Sequence, residues 1–209
     1  MLLRHHHAPG LGIAKKNKIR PPAKQRLREA VTHTQYGALL NAVYTPLYRG
    51  IFAVMYGGGL RISEAVALRA ADVDGKAMTL RVIGKGNKKR LVPLAGGLLK
   101  DLRLLWMEHR CEAWLFPNKA RTNHISEENV ARLFRTIRRE LGLGESLTPH
   151  SLRHGFAMRL FEQHMPAETI AILMGHDNVK TTKQYLHLTQ AVCEQVKEAA
   201  ANFYVPLFD

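Results

Sequence analysis

Tyr185 follows His176 in the stretch LMGHDNVKTTKQYLHL, and upstream the chain carries GGGLRISEAVAL and TPHSLRHGFAMRL. Among the side chains of these segments are the phenol of Tyr185, the arginines Arg61 and Arg153 and the histidines His150 and His176. A phenol with a pKa of about 10 is a poor nucleophile near neutral pH. A tyrosine that attacks phosphorus therefore needs cations around the phosphate and a proton acceptor close to its hydroxyl. The four basic side chains are of the types that supply both.

The elements that must position these groups are mostly helical. Apolar periodicity predicts helices over 36–44, from Pro46 onward and over 61–68, with the Gly57–Gly59 run breaking the chain just before Arg61. Two strands, AMTLRVI over 77–83 and RLVP over 90–93, flank GKGNKK and read as a hairpin with a lysine-rich tip. A helix over 98–109 follows, and the apolar WLFP that ends at Pro117 reads as a third, edge strand. From Ser126 to Leu141 one helix face carries Val130, Leu133, Phe134, Ile137 and Leu141, the other Arg132, Arg135, Arg138 and Arg139, with Gly142 as the stop. Thr148 and Pro149 start a helix with Leu152, Phe156 and Leu160 on one side and His150 and Arg153 on the other. Pro166 and Gly175 bracket a short helix. Thr181 or Thr182 caps the one bearing Tyr185, and Val192, Val196, Ala199 and Phe203 stripe the last.

The charge balance says what such a scaffold meets. With 31 Lys and Arg against 17 Asp and Glu, the chain of 209 residues carries a net charge of +14, which draws polyanions and releases their counterions. Nucleic acid is the expected partner. Residues 1–29 hold Arg4, Lys15, Lys16, Lys18, Arg20, Lys24, Arg26 and Arg28 against the single acid Glu29, with three prolines and no apolar period. They read as a basic, flexible arm that tracks phosphates. No apolar run approaches the roughly 20 residues of a membrane span, and the start lacks a signal-peptide core, so a cytoplasmic protein is expected. Cys111 and Cys193 lie far apart and read as reduced thiols.

Each motif alone is ordinary, because Arg and Glu three apart on a helix usually form a surface pair. The ordered series is not: LRISE, a hairpin lysine, HSLRH, GHDNV and then tyrosine resembles the tyrosine recombinase or phage integrase family over roughly residues 34–188. The resemblance implies a mainly α catalytic domain with a small antiparallel β-hairpin or sheet, occupying 30–209. It makes Arg61 and Arg153 the arginine pair, His150 and His176 the histidines, Lys85 the hairpin lysine that protonates the leaving 5′ oxygen, and Tyr185 the nucleophile. Glu64, one turn from Arg61, matches the acid that holds that arginine's guanidinium in place. Lys88 and Lys89 are rivals for the role of Lys85 and read in preference as a phosphate grip, and Arg132, Arg135 and Arg139 read as a surface that meets DNA.

The implied reaction is site-specific cleavage and rejoining of double-stranded DNA through a 3′-phosphotyrosyl ester, by four protomers on two sites. The C-terminal segment over 190–209 would pack on a neighbouring protomer, although a helix folded back onto its own core would show the same stripe. No cofactor is implied. His150 and His154 have a spacing seen in zinc sites, but Ser151 stands where the metalloprotease motif has glutamate and no third ligand is evident, so no metal is expected. Only a basic arm precedes the catalytic part, so an accessory DNA-binding protein is a further expected partner. Relaxation of supercoils in the manner of a type IB topoisomerase, and a catalytically silent DNA-binding regulator, are the rival readings.

Overall fold

The computed structural model describes residues 29–175 and 190–208. His176 and Tyr185 lie outside the described residues, as do the arm over 1–28 and the helix expected around Tyr185.

Helix α1 (His33–Asn41) begins at Thr32, whose Oγ1 accepts the Gln35 main-chain N–H at 3.2 Å while Gln35 Oε1 accepts the Thr32 N–H at 2.9 Å. It stops short of the expected Tyr44. Thr45, extended because Pro46 follows it, turns the chain outward, and Tyr44 stands 97% exposed. Pro46 opens α2 (Pro46–Gly57), which buries Ile51 through Tyr56 without interruption. A helix apolar all round belongs in the middle of a core, and α2 packs against α3 (Ile62–Val66), α4 (Gly96–His109) and α6 (Pro149–Glu162).

Close approach between α2 and α6 depends on Gly155, where a Cβ would lie 2.5 Å from the Tyr56 ring and 2.6 Å from the Val31 carbonyl oxygen. Gly59 is doubly constrained. Its φ of 64° suits glycine, and a Cβ there would meet Phe156 at 2.4 Å. This turn delivers the chain to Arg61 at the start of α3.

The sheet has three antiparallel strands in the order β1 (Val73–Asp74), β2 (Thr79–Ile83), β3 (Lys89–Pro93). Register runs from Thr79 opposite Pro93 to Ile83 opposite Lys89, and a short 3-10 turn (Lys85–Asn87) forms the hairpin tip. The expected hairpin is present, but the third strand is β1 and not WLFP. Leu115 and Phe116 are buried in an irregular loop, where the Leu115 N–H donates to the Leu68 carbonyl and the Phe116 carbonyl accepts from Ile125. Backbone groups satisfied this way do not need a sheet edge.

Helix α5 (Glu127–Glu140) is capped by Ser126 and buries Val130, Phe134 and Ile137. Arg132, Arg135 and Arg139 are exposed as expected, whereas Arg138 turns inward and donates to the carbonyls of Glu145 and Leu147. Helix α7 (Ala167–Met174) ends at Gly175, left-handed at φ 61°. On α8 (Gln190–Ala201) and beyond, Val196, Ala199 and Phe203 are buried in the chain's own core, with the Phe203 ring edge-on to Tyr56 at 5.8 Å. The tail returns to α4, where buried Asp101 accepts from the Tyr204 hydroxyl and, at 2.8 Å, from the Leu207 N–H. In the single chain the stripe is thus already covered from within. No helix among the described residues is long and apolar enough to cross a membrane.

Candidate active site

Glu64 sits in the first turn of α3 with a side chain only 4% exposed, and three arginines converge on it, one from the head of the same helix and two from elsewhere in the chain. Arg61, the residue at the head of α3, donates Nη1 to Oε1 at 2.8 Å and its main-chain N–H to Oε2 at 2.8 Å. Arg90 on β3 meets the same carboxylate with both ends of its fork, Nη1 to Oε1 and Nη2 to Oε2, each at 2.8 Å. Arg153 on α6 brings its Nη1 within 3.6 Å of Oε2.

The C-terminal end of α7 supplies a second set of acceptors. The last carbonyls of a helix lack intrahelical partners and lie at the negative end of its dipole. Here Leu173 accepts from Arg90 Nε at 2.8 Å, Met174 from Arg153 Nη2, and Gly175 from Arg61 Nη2 at 3.1 Å. Three consecutive carbonyls therefore receive three different guanidinium groups. Arg153 makes one more bond, from Nη1 to the Gly59 carbonyl at 2.6 Å, which ties α6 to the turn before α3.

Burial acts on these charges in opposite ways. It works to raise the Glu64 pKa, but the hydrogen bonds and charge of Arg90, with the hydrogen bonds of Arg61, hold the carboxyl at about 2. Burial lowers the Arg153 pKa to about 10, helped by the charge of Arg61 and opposed by Glu64, so the group stays protonated at neutral pH. The two expected arginines differ in access: the Arg61 side chain is 34% exposed and that of Arg153 1%. An anion arriving from solvent meets Arg61 first. Arginine forks bind paired oxygens of a carboxylate or phosphate, so this cluster can orient a doubly coordinated anion at its open side.

Of the expected site residues, the structure brings Arg61, Glu64 and Arg153 together. His150 lies half-buried in the first turn of α6, its ring edge-on to His154 at 4.6 Å. The Lys85 backbone forms part of the hairpin tip, and Lys88 and Lys89 are exposed beside it. Among the described residues no three His, Cys, Asp or Glu side chains gather as metal ligands. Arg90 is the residue that sequence reasoning missed. Its signal was position: with a period of two, Arg90 shares the inward face of β3 with buried Val92, where an arginine needs a partner.

Comparison with known proteins adds three findings. The family model described as phage integrase matches residues 29–191. A putative integrase/recombinase, y4qK, of Sinorhizobium fredii is 37% identical over 175 residues, covering 83% of this chain and 57% of that protein. The tyrosine recombinase XerC of Vibrio atlanticus is 36% identical over 146 residues, covering 67% of this chain and 46% of its own length. The chain thus spans about half the length of these relatives. Among solved structures, the integrase from mycobacterium phage Brujita superposes with a TM-score of 0.72 at 22% identity, over 88% of this chain and 61% of that one. XerH recombinase, in a post-cleavage complex with a palindromic difH substrate, does so with a TM-score of 0.64 at 21% identity, over 82% and 52%. These likenesses show a shared fold.

Proposed function

The chain belongs to the phage integrase family, and from that membership we propose that it is a site-specific DNA recombinase working through a covalent tyrosyl ester. Tyr185 attacks a DNA phosphodiester, a 3′-phosphotyrosyl bond forms and the bond to the 5′ oxygen breaks. Lys85, on the hairpin tip, gives that oxygen its proton. The freed 5′ hydroxyl of another strand then attacks the ester and releases Tyr185. One ester replaces another, so no nucleotide hydrolysis is needed.

Negative charge on the nonbridging oxygens is met by the guanidinium groups of Arg61 and Arg153, with His150 and His176 as proton-handling neighbours. Lys88, Lys89 and the exposed arginines of α5 grip the flanking phosphates. Strand exchange engages two duplexes, hence four protomers.

The observation that carries this reading is the meeting of Arg61 and Arg153 on one buried carboxylate, Glu64. That cluster fixes two forks side by side at a spot open to solvent through Arg61. The test uses nicked suicide duplexes bearing inverted repeats sought in the DNA that flanks the coding region. The wild-type chain is expected to become covalently attached at the 3′ side, and Tyr185→Phe to bind the same duplex without attaching. An adduct formed by Tyr185→Phe would remove Tyr185 from the role of nucleophile.

A further inference from the structure

We propose that Arg90 is a positioning residue of this site, one that sets the plane of the Glu64 carboxylate and through it the aim of the Arg61 guanidinium, without touching substrate. The inference rests on the recombinase reading just given and concerns how its arginine pair is held.

The geometry points inward throughout. Arg90 is 12% exposed, and its Nε, Nη1 and Nη2 donate to Leu173, Glu64 Oε1 and Glu64 Oε2, all at 2.8 Å. A carboxylate gripped at both oxygens by one planar fork cannot rotate about its Cγ–Cδ bond without breaking two charge-assisted bonds. Its remaining acceptor directions then point where Arg61 needs them, Oε1 toward Arg61 Nη1 and Oε2 toward the Arg61 N–H. With the fork removed, Arg61 and Arg153 would compete for a carboxylate free to turn.

The third bond extends the effect beyond α3. Leu173 precedes the two carbonyls that hold Arg153 and Arg61, so Arg90 pins the same helix end that orients both. It does so from β3, the strand that leads out of the hairpin tip carrying Lys85. One side chain therefore ties the base of the hairpin to both arginines. Space around it is tight: a Cβ on Gly175 would lie 3.2 Å from Arg90 Nη1.

Three variants test the assignment: Arg90→Lys, which keeps charge and stem but loses the fork, Glu64→Gln, and the pair combined. With the suicide duplex, Arg90→Lys is expected to slow single-turnover adduct formation on the order of tenfold or more, with DNA affinity within about twofold of wild type. The double variant should be no slower than the slower single, because Arg90 acts through Glu64. An Arg90→Lys rate equal to wild type, or rates that multiply in the double variant, would overturn the proposal.

Side-chain NMR of the Arg61 guanidinium in the DNA-free chain supplies a readout independent of cleavage. Its Nε–H signal should shift or broaden in Arg90→Lys, and an unchanged signal sinks the inference. A wild-type chain that forms no adduct would defeat the recombinase reading alone, leaving the NMR comparison to decide on Arg90. If melting curves show Arg90→Lys to be unfolded, Arg90→Gln, which keeps a single NH2 group and loses the fork, takes its place in every arm with the same expected and contrary results.

Discussion

Two sets of arginines divide this protein. Arg61, Arg90 and Arg153 reach inward from α3, β3 and α6 to one carboxylate and one helix end, while Arg132, Arg135 and Arg139 stand exposed along α5. The side chain is the same, yet the physics differs. A guanidinium taken out of water survives only where acceptors replace its hydration, and the position of those acceptors then dictates its own. One left in water keeps its rotamers and its attraction for any polyanion nearby. The buried set is held in place by its acceptors, whereas the exposed set faces solvent, where a polyanion can reach it.

Glu64→Gln should break this comparison most visibly. The carboxyl is held near 2 against an ordinary 4.5, so its folded pKa is depressed and the native state binds the proton more weakly than the unfolded chain. The linked stabilisation is fully present above pH 4.5 and is lost as pH falls through about 2. Over that shift it amounts to roughly 3 kcal/mol. Urea unfolding at pH 7 should show Glu64→Gln destabilised by about that much, and the gap to wild type should close as pH falls from 4.5 toward 2. A gap that persists at the acid end would mean that shape, not charge, holds the cluster.

What was legible in the sequence follows the same division. Helix starts at Pro46, Ser126 and Pro149 announce themselves through local chemistry, since caps and first-turn prolines act over three or four residues. The exposed arginines of α5 follow from a 3.6-residue period. Glu64 and its two expected arginines were legible through motif order. The place of Arg90 on the inward face of β3 signalled that it needs a partner but not which one, because that partner stands 26 residues earlier. WLFP misled for a related reason: a short apolar run records that it is buried but not by what, and here a loop buries it.

The exposed set offers the second test. Replacing Arg132, Arg135 and Arg139 together with glutamine should leave stability within about 0.5 kcal/mol of wild type, as surface changes do. DNA binding measured against salt should lose about 2 to 3 from the magnitude of its log–log slope, close to one for each phosphate contact removed. An unchanged slope would return α5 to the status of a solvated face, and a collapse in stability would show its arginines to be structural after all.

The finest distinction falls between neighbours on that helix. Arg138 and Arg139 both occupy the last turn of α5, so each gains similarly from the negative end of the helix dipole. That shared contribution cancels when the two glutamine variants are compared with each other. What remains is that Arg138 donates to the carbonyls of Glu145 and Leu147 while Arg139 is exposed. Arg138→Gln should therefore be less stable than Arg139→Gln by about 1 kcal/mol, the net worth of the lost bonds. In DNA binding the order should reverse, with Arg139→Gln lowering the salt slope by about 1 and Arg138→Gln leaving it unchanged. Unfolding and anisotropy titrations on two variants one residue apart thus separate the two uses of arginine, because the direction of the side chain is all that differs between them.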